Sequence, residues 1–241
     1  MYQQLNDLPR PRTILLKGTP GTGKTFKAAQ FPKPVFFNFD NNLAGLVKLP
    51  KSTRDNIRVV NPFVDEKGKD VGDTFIWNNF VSQLSKVVAD DSVRTVVIDS
   101  LTTLASRLMD QIIGSSSPTA KIQIQHWGDF ARYLKWFGDE FLCDPKLDKN
   151  VILIAHEQIE RDELTQSIQY TLNIGGQMRT SLDLYFSDVW RCFANQPQQG
   201  DVEYKVRVLP SNQFNAKNTL ENIPKEFVWD QQSANIFKQI T

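Results

Sequence analysis

The sequence predicts an α/β domain with a mainly parallel central sheet and an antiparallel, β-rich C-terminal end. Three observations predict it. Four short runs, at 13–18, 35–39, 94–99 and 151–155, are nearly continuous in apolar residues rather than alternating, as strands covered on both faces are. The stretches between them carry helical spacing, clearest over 127–142, where Trp127, Phe130, Ala131, Leu134, Phe137, Phe141 and Leu142 share a face. The last third changes character: 187–193 and 203–209 are β-like and are joined by a polar segment, Asn195 to Gly200, the pattern of a hairpin. Alternating strands and helices imply a doubly wound core, to which the hairpin adds antiparallel strands.

Taken in order, Thr13-Ile14-Leu15-Leu16-Lys17-Gly18 reads as a buried strand entering a turn, and Val35 to Phe39 as a second strand closed by Asp40-Asn41-Asn42. Arg94 to Asp99 and Val151 to Ala155 supply the third and fourth. Two segments read as loops, 114–119 and about 158–179, and long loops in a compact domain often serve function. The expected organisation is an arm at 1–12, an α/β core at 13–225 and a tail at 226–241.

Composition bounds the function classes. With 241 residues, 40% of them hydrophobic and 23% charged, the chain can bury a substantial core. A balance of 28 basic against 27 acidic residues leaves +1, so a global positive field for nucleic acid is not expected, and any such binding would come from a local patch or from neighbouring subunits sharing a groove. Cys143 and Cys192, with only His126 and His156 beside them, make neither a disulfide framework nor a zinc set. No apolar run approaches the ~20 residues of a membrane span, and the N-terminus has no signal-peptide pattern. A soluble cytoplasmic protein without a membrane partner is expected.

Gly18-Thr19-Pro20-Gly21-Thr22-Gly23-Lys24-Thr25 fits the phosphate-loop pattern G-x-x-x-x-G-K-[ST] completely, after a strand and before a helical stretch. The glycines let backbone N–H groups turn onto phosphate oxygens. Lys24 reaches the β- and γ-phosphates, and the Thr25 hydroxyl ligates Mg²⁺. Asp99, closing the third strand, is the candidate second acid for the metal. ATP and Mg²⁺ are therefore the expected cofactors.

Other phosphate-loop branches fit less well. There is no Asn-Lys-x-Asp reader of guanine and no arginine-rich lid after Asp99. Ser100 stands where hexameric AAA+ ATPases place a glutamate after the metal-binding aspartate.

With Gly18–Thr25, Asp99-Ser100-Leu101-Thr102-Thr103-Leu104 and Phe36-Phe37-Asn38-Phe39-Asp40 in this order, the chain resembles the RecA-like recombinase ATPases over residues 12–225. The resemblance implies that Asp40 positions the attacking water, in a place usually held by Glu, with Asn41 and Asn42 as neighbouring alternatives. It implies that His156, in Ile154-Ala155-His156-Glu157, senses the γ-phosphate and passes its state to a DNA-binding loop. The small core looks most like the core-only phage relatives of RecA, which are single-strand annealing or recombination proteins, so the cytoplasm would be that of a bacterial host. Gln125-His126-Trp127-Gly128, Gly175-Gly176-Gln177-Met178-Arg179 and Phe214-Asn215-Ala216-Lys217-Asn218 are further echoes.

On the same resemblance, loops 112–126 and 158–180 face single-stranded DNA, with Lys121, Arg161 and Arg179 as contacts and Tyr170 as a stacking surface. Self-association in a ring or filament completes the ATP site in trans, by Lys217 first and by Lys205 and Arg207 as the backup pair. A single-strand-binding protein would be a further partner. Two alternatives remain: a nucleotide-gated single-strand-binding module with little turnover, and a DNA remodelling or packaging motor.

Overall fold

The computed structural model describes residues 11–161, 163, 166–196 and 201–240. Among them are nine strands: β1 (Thr13–Gly18), β2 (Pro34–Asn38), β3 (Arg58–Val60), β4 (Thr95–Asp99), β5 (Asn150–Arg161), β6 (Ile168–Leu172), β7 (Asp188–Asn195), β8 (Glu203–Arg207) and β9 (Glu226–Val228). The helices are α1 (Lys24–Ala28), α2 (Lys51–Arg54), α3 (Ile76–Ala89), α4 (Leu101–Ile113), α5 (Ile124–Phe137), α6 (Met178–Ser181) and α7 (Trp229–Ile240). The order across the sheet is β3-β2-β4-β5-β1-β7-β8-β9, with β6 paired to β5. From β3 to β7 every pairing is parallel, whereas β8 and β9 run antiparallel to their neighbours. The carboxyl ends of the parallel strands therefore share one rim, where open α/β sheets bind ligands.

Period-2 alternation sends each central strand into two cores. On one face Leu15, Phe37, Ile98 and Leu153 pack with Phe80, Leu104, Phe130 and Leu134 of α3, α4 and α5. On the other, Ile14, Leu16, Phe36 and Ile152 pack with Ala28, Trp190, Trp229 and Ile236, under α1 and α7. Burial on both faces explains the continuous apolar runs.

The structure departs from the sequence expectations in three places. The stretch 158–179 is not a plain loop: β5 continues to Arg161, and Glu157 to Arg161 pair antiparallel with Ile168 to Leu172 of β6. Its polar residues hid the strand because this hairpin stands at the rim, where Ile159 is 62% exposed and no second layer demands apolar side chains. The strand β3 was missed because it is a three-residue edge strand with Arg58 and Val59 exposed. Residues 226–240, set apart as a tail, form β9 and α7, which bury Trp229, Ile236 and Ile240 in the second core. The helix after the phosphate loop has only five residues, because Pro32 and Pro34 follow closely. Residues 1–10 of the arm, part of the 195–200 connection and positions 162, 164, 165 and 241 lie outside the described residues. No helix of the described residues is long and apolar enough to cross a membrane.

Candidate functional site

The phosphate loop leaves β1, the strand flanked by β5 and β7. The register sets Gly18 directly beside His156 of β5, and Asn38 beside Asp99 of β4. Three strand ends thus converge on one cleft of about 560 Å³, lined by Pro20 to Lys27, Asp40, Asp99 and His156.

Lys24 folds back over the loop, its Nζ donating to the carbonyls of Gly18 at 2.8 Å and Thr19 at 2.9 Å. Burial holds its pKa below the usual lysine value. The Thr25 hydroxyl donates to Asp99 Oδ2 at 2.7 Å. Asp99 is buried, which pushes its carboxyl up to about 6 against the pull of the Thr25 hydrogen bond. A carboxylate that burial disfavours gains most from a divalent cation. The hydroxyl and carboxylate oxygens are hard donors, so the pair fits Mg²⁺. No group of three metal-ligating side chains occurs among the described residues. Mg²⁺ commonly keeps waters and takes phosphate oxygens rather than an all-protein cage.

Asp40, just beyond β2, sits on the other side of the same rim. Its Oδ1 accepts from the Ser100 hydroxyl at 2.9 Å and from the Thr103 hydroxyl, while His156 Nε2 lies 3.3 Å from Oδ2. Burial alone would raise its pKa; the hydrogen bonds from His156, Thr103 and Ser100 outweigh it, and the net shift is downward. Ser100 also caps α4, its hydroxyl accepting the Thr103 N–H. The Thr102 hydroxyl accepts from the backbone N–H of His156 at 3.0 Å. The first turn of α4 therefore orients both Asp40 and His156.

The opposite wall comes from residues the motifs did not mark. Leu46 and Lys48 follow β2, Tyr204 belongs to β8, and Trp229 and Asp230 open α7. Tyr204 is 46% exposed and lines the cleft as an aromatic surface. Only its position in a β-like run was legible, since nothing local in the sequence joins residue 204 to a loop about 180 positions earlier. Lys27, one turn beyond Lys24, is buried with its Nζ on the Thr22 carbonyl.

The remaining candidates fall elsewhere. Val206 of β8 is buried in the α1 and α7 core, so its neighbours Lys205 and Arg207 project to the face away from the chain's own cleft. Lys205 meets Glu203 at 3.1 Å, and Arg207 lies over the Phe214 ring. Lys217 is half-buried and exchanges two backbone hydrogen bonds with Val189, near the start of β7 and away from the strands' carboxyl ends. Arg161 is exposed at the end of β5 and Lys121 is exposed in the 114–123 connection. Arg179 pairs with Glu160 at 2.7 Å. Tyr170 is not a free stacking surface: the Arg191 guanidinium lies 4.0 Å from its ring centroid and Phe214 abuts it. Trp127 of α5, just after the first loop, covers Gly175 in the second, where a Cβ would run into the indole.

Comparison with known proteins adds three findings. Residues 10–220 match a family model described as an AAA domain, AAA_24. The circadian clock oscillator protein KaiC of Prochlorococcus marinus strain MIT 9313 is 24% identical over 184 residues, and the KaiC of a second Prochlorococcus marinus strain, SARG, is 26% identical. Each match takes in 62% of this chain but only 35% of the relative's length, so the chain spans about a third of the curated relatives it matches. Among solved structures, the KaiC-like protein PH0186 from Pyrococcus horikoshii OT3 superposes with a TM-score of 0.45 at 19% identity, covering 83% of this chain and 80% of that one. The flagellar accessory protein FlaH from Methanocaldococcus jannaschii gives 0.38 at 12% identity, covering 86% and 80%. With the complete phosphate loop, the Thr25–Asp99 pair and a family match over most of its length, the chain belongs to the AAA domain family AAA_24.

Proposed function

We propose that this ATPase hydrolyses Mg·ATP in the cleft between Lys24 and Asp40 and couples the nucleotide to single-stranded DNA, in the manner of the short recombination and annealing proteins. One observation carries the reading. Asp40, held by Ser100, Thr103 and His156, faces the same cleft as Lys24, Thr25 and Asp99, and His156 lies on the strand that runs on into the β5–β6 hairpin. Lys24 would bind the β- and γ-phosphates. Mg²⁺ held by Thr25 and Asp99 would neutralise charge developing on the phosphoryl oxygens. Asp40 would orient the attacking water and accept its proton, with His156 fixing the carboxylate. A γ-phosphate drawing His156 away from Asp40 would pull on β5, and so on the hairpin that carries Arg161.

Lys205 and Arg207 point away from their own cleft, which suits cations serving a neighbouring copy in a ring or filament. Their position on β8 fits that role better than that of Lys217. Arg161 and Lys121, both exposed, remain the candidate phosphate contacts for DNA. A nucleotide-gated binding module with little turnover is the second reading. It is favoured by both Asp40 oxygens being engaged and by a lowered pKa, which makes the carboxylate a weak base.

Steady-state ATP hydrolysis with and without single-stranded DNA, using Lys24→Ala as the blank, separates these. Stimulation by single strands but not by duplex supports the coupled ATPase. ATP binding without turnover in either condition supports the gated module. Turnover indifferent to DNA removes the DNA assignment and leaves the ATPase.

A further inference from the structure

A second lysine lies under the phosphate loop and belongs to no part of the loop's motif. Lys27 is 1% exposed, and its Nζ donates to the Thr22 carbonyl at 2.8 Å. The same Nζ stands 5.6 Å from the centroid of the Tyr204 ring, and burial holds its pKa below the usual lysine value. Burying a lysine of this kind is costly and needs partners.

A peptide unit is planar and trans, so its C=O and the following N–H point in opposite directions. The carbonyl of Thr22 and the N–H of Gly23 belong to one such unit. Tethering the carbonyl to Lys27 therefore fixes the direction of the Gly23 N–H. Gly23 sits at φ +73°, and a Cβ there would come within 3.0 Å of Lys27 Nζ, so the lysine head fills the space under the glycine. Loop N–H groups cradle phosphate oxygens, and their value depends on being aimed before the ligand arrives.

We propose that Lys27 is a positioning residue that holds the Thr22–Gly23 peptide with its N–H turned to the phosphates of a nucleoside di- or triphosphate. The Tyr204 ring faces its head, so the C-terminal β8 is part of the phosphate site as well as a wall of the cleft. This rests on the reading of the cleft as a nucleotide site.

The test is ADP binding by calorimetry, with amide spectra of ¹⁵N-labelled protein. Wild-type protein is titrated first; absence of ADP binding there overturns the nucleotide reading itself, before any variant is made. Lys27→Met keeps the length and removes the charged donor, and it should weaken ADP about tenfold or more, the usual worth of a hydrogen bond from a charged group. Lys27→Arg restores a charged donor and should recover most of the affinity. In the wild type the Gly23 amide should shift strongly on ADP addition, and in folded Lys27→Met that response should shrink more than that of Gly21. A folded Lys27→Met with wild-type ADP affinity overturns the proposal. So does a wild-type Gly23 amide that stays still while Gly21 and Lys24 respond, a result that needs no variant to fold.

Discussion

Asp99 and Asp40 are two carboxylates on one rim whose surroundings push them apart. Burial lifts Asp99 to about 6, whereas three hydrogen-bond donors hold Asp40 below the ordinary value. The first is suited to a cation and the second to staying ionised beside water. Lys24→Ala is expected to abolish nucleotide binding, read by calorimetry; normal affinity would remove the phosphate assignment. Asp40→Ala should leave binding within a few-fold and lower turnover by about a hundredfold or more, the typical share of a positioned base. Unchanged hydrolysis would take Asp40 out of the reaction. At this scale the sequence was informative where chemistry fixes spacing. Lys24 and Thr25 stood out because a phosphate loop admits few residue types, and Asp99 because it closes a buried strand; the structure brings Thr25 and Asp99 together. Thr103 and Ser100 stood inside a quoted motif, but their contacts to Asp40 depend on how α4 leaves β4, which no periodicity encodes.

The elements around the cleft are tied together beyond β1. Glu157 of β5 and Arg191 of β7 meet past the end of β1, Arg191 Nε donating to Glu157 Oε2 at 2.9 Å. The guanidinium lies between Tyr170 and Phe214, at 4.0 and 4.7 Å from their centroids. Burial pushes the Glu157 carboxyl up, opposed by Arg191 and Lys17. Arg191→Met should cost about 3–5 kcal/mol by leaving a buried carboxylate without its partner. Adding Glu157→Gln should return much of that loss. In the single variant the folded pKa of Glu157 lies above its unfolded value, so the folded state holds the proton more tightly. Stability then falls as pH rises through the interval between the two values. Urea denaturation should accordingly show a smaller deficit against wild type at about pH 5 than at about pH 7, and a deficit equal at both would remove the charge explanation. None of this was visible in the sequence, where nothing local joins Glu157 to Arg191. The buried parallel strands were visible because both faces are covered. The β5–β6 hairpin was not, because polar residues at an open rim look like loop.

For the whole molecule, the decisive feature is that Lys205 and Arg207 face away from the cleft of their own chain. If they serve a neighbour, contacts run head to tail and each site is built from two copies. Asp40→Ala and Arg207→Ala would each be inactive alone. Mixed in equal amounts and allowed to reassemble, they should recover turnover at about a quarter of the interfaces, where an intact cleft meets an intact pair. No recovery, with assembly intact by light scattering, would remove the role of Arg207 at a neighbour's cleft.

The contact of Trp127 with Gly175 has an optical consequence. Of the five tryptophans, Trp77, Trp190 and Trp229 are buried, whereas Trp127 is 36% and Trp136 43% exposed. Trp127 touches the stretch that follows the β5–β6 hairpin. Its indole emission is an intrinsic reporter of that junction. With Trp136→Phe as background, the part of the fluorescence open to acrylamide quenching belongs chiefly to Trp127. Anything that lifts residues 175–176 off the ring, whether a nucleotide in the cleft or a strand laid across the loops, should redden that emission without any label attached to the protein.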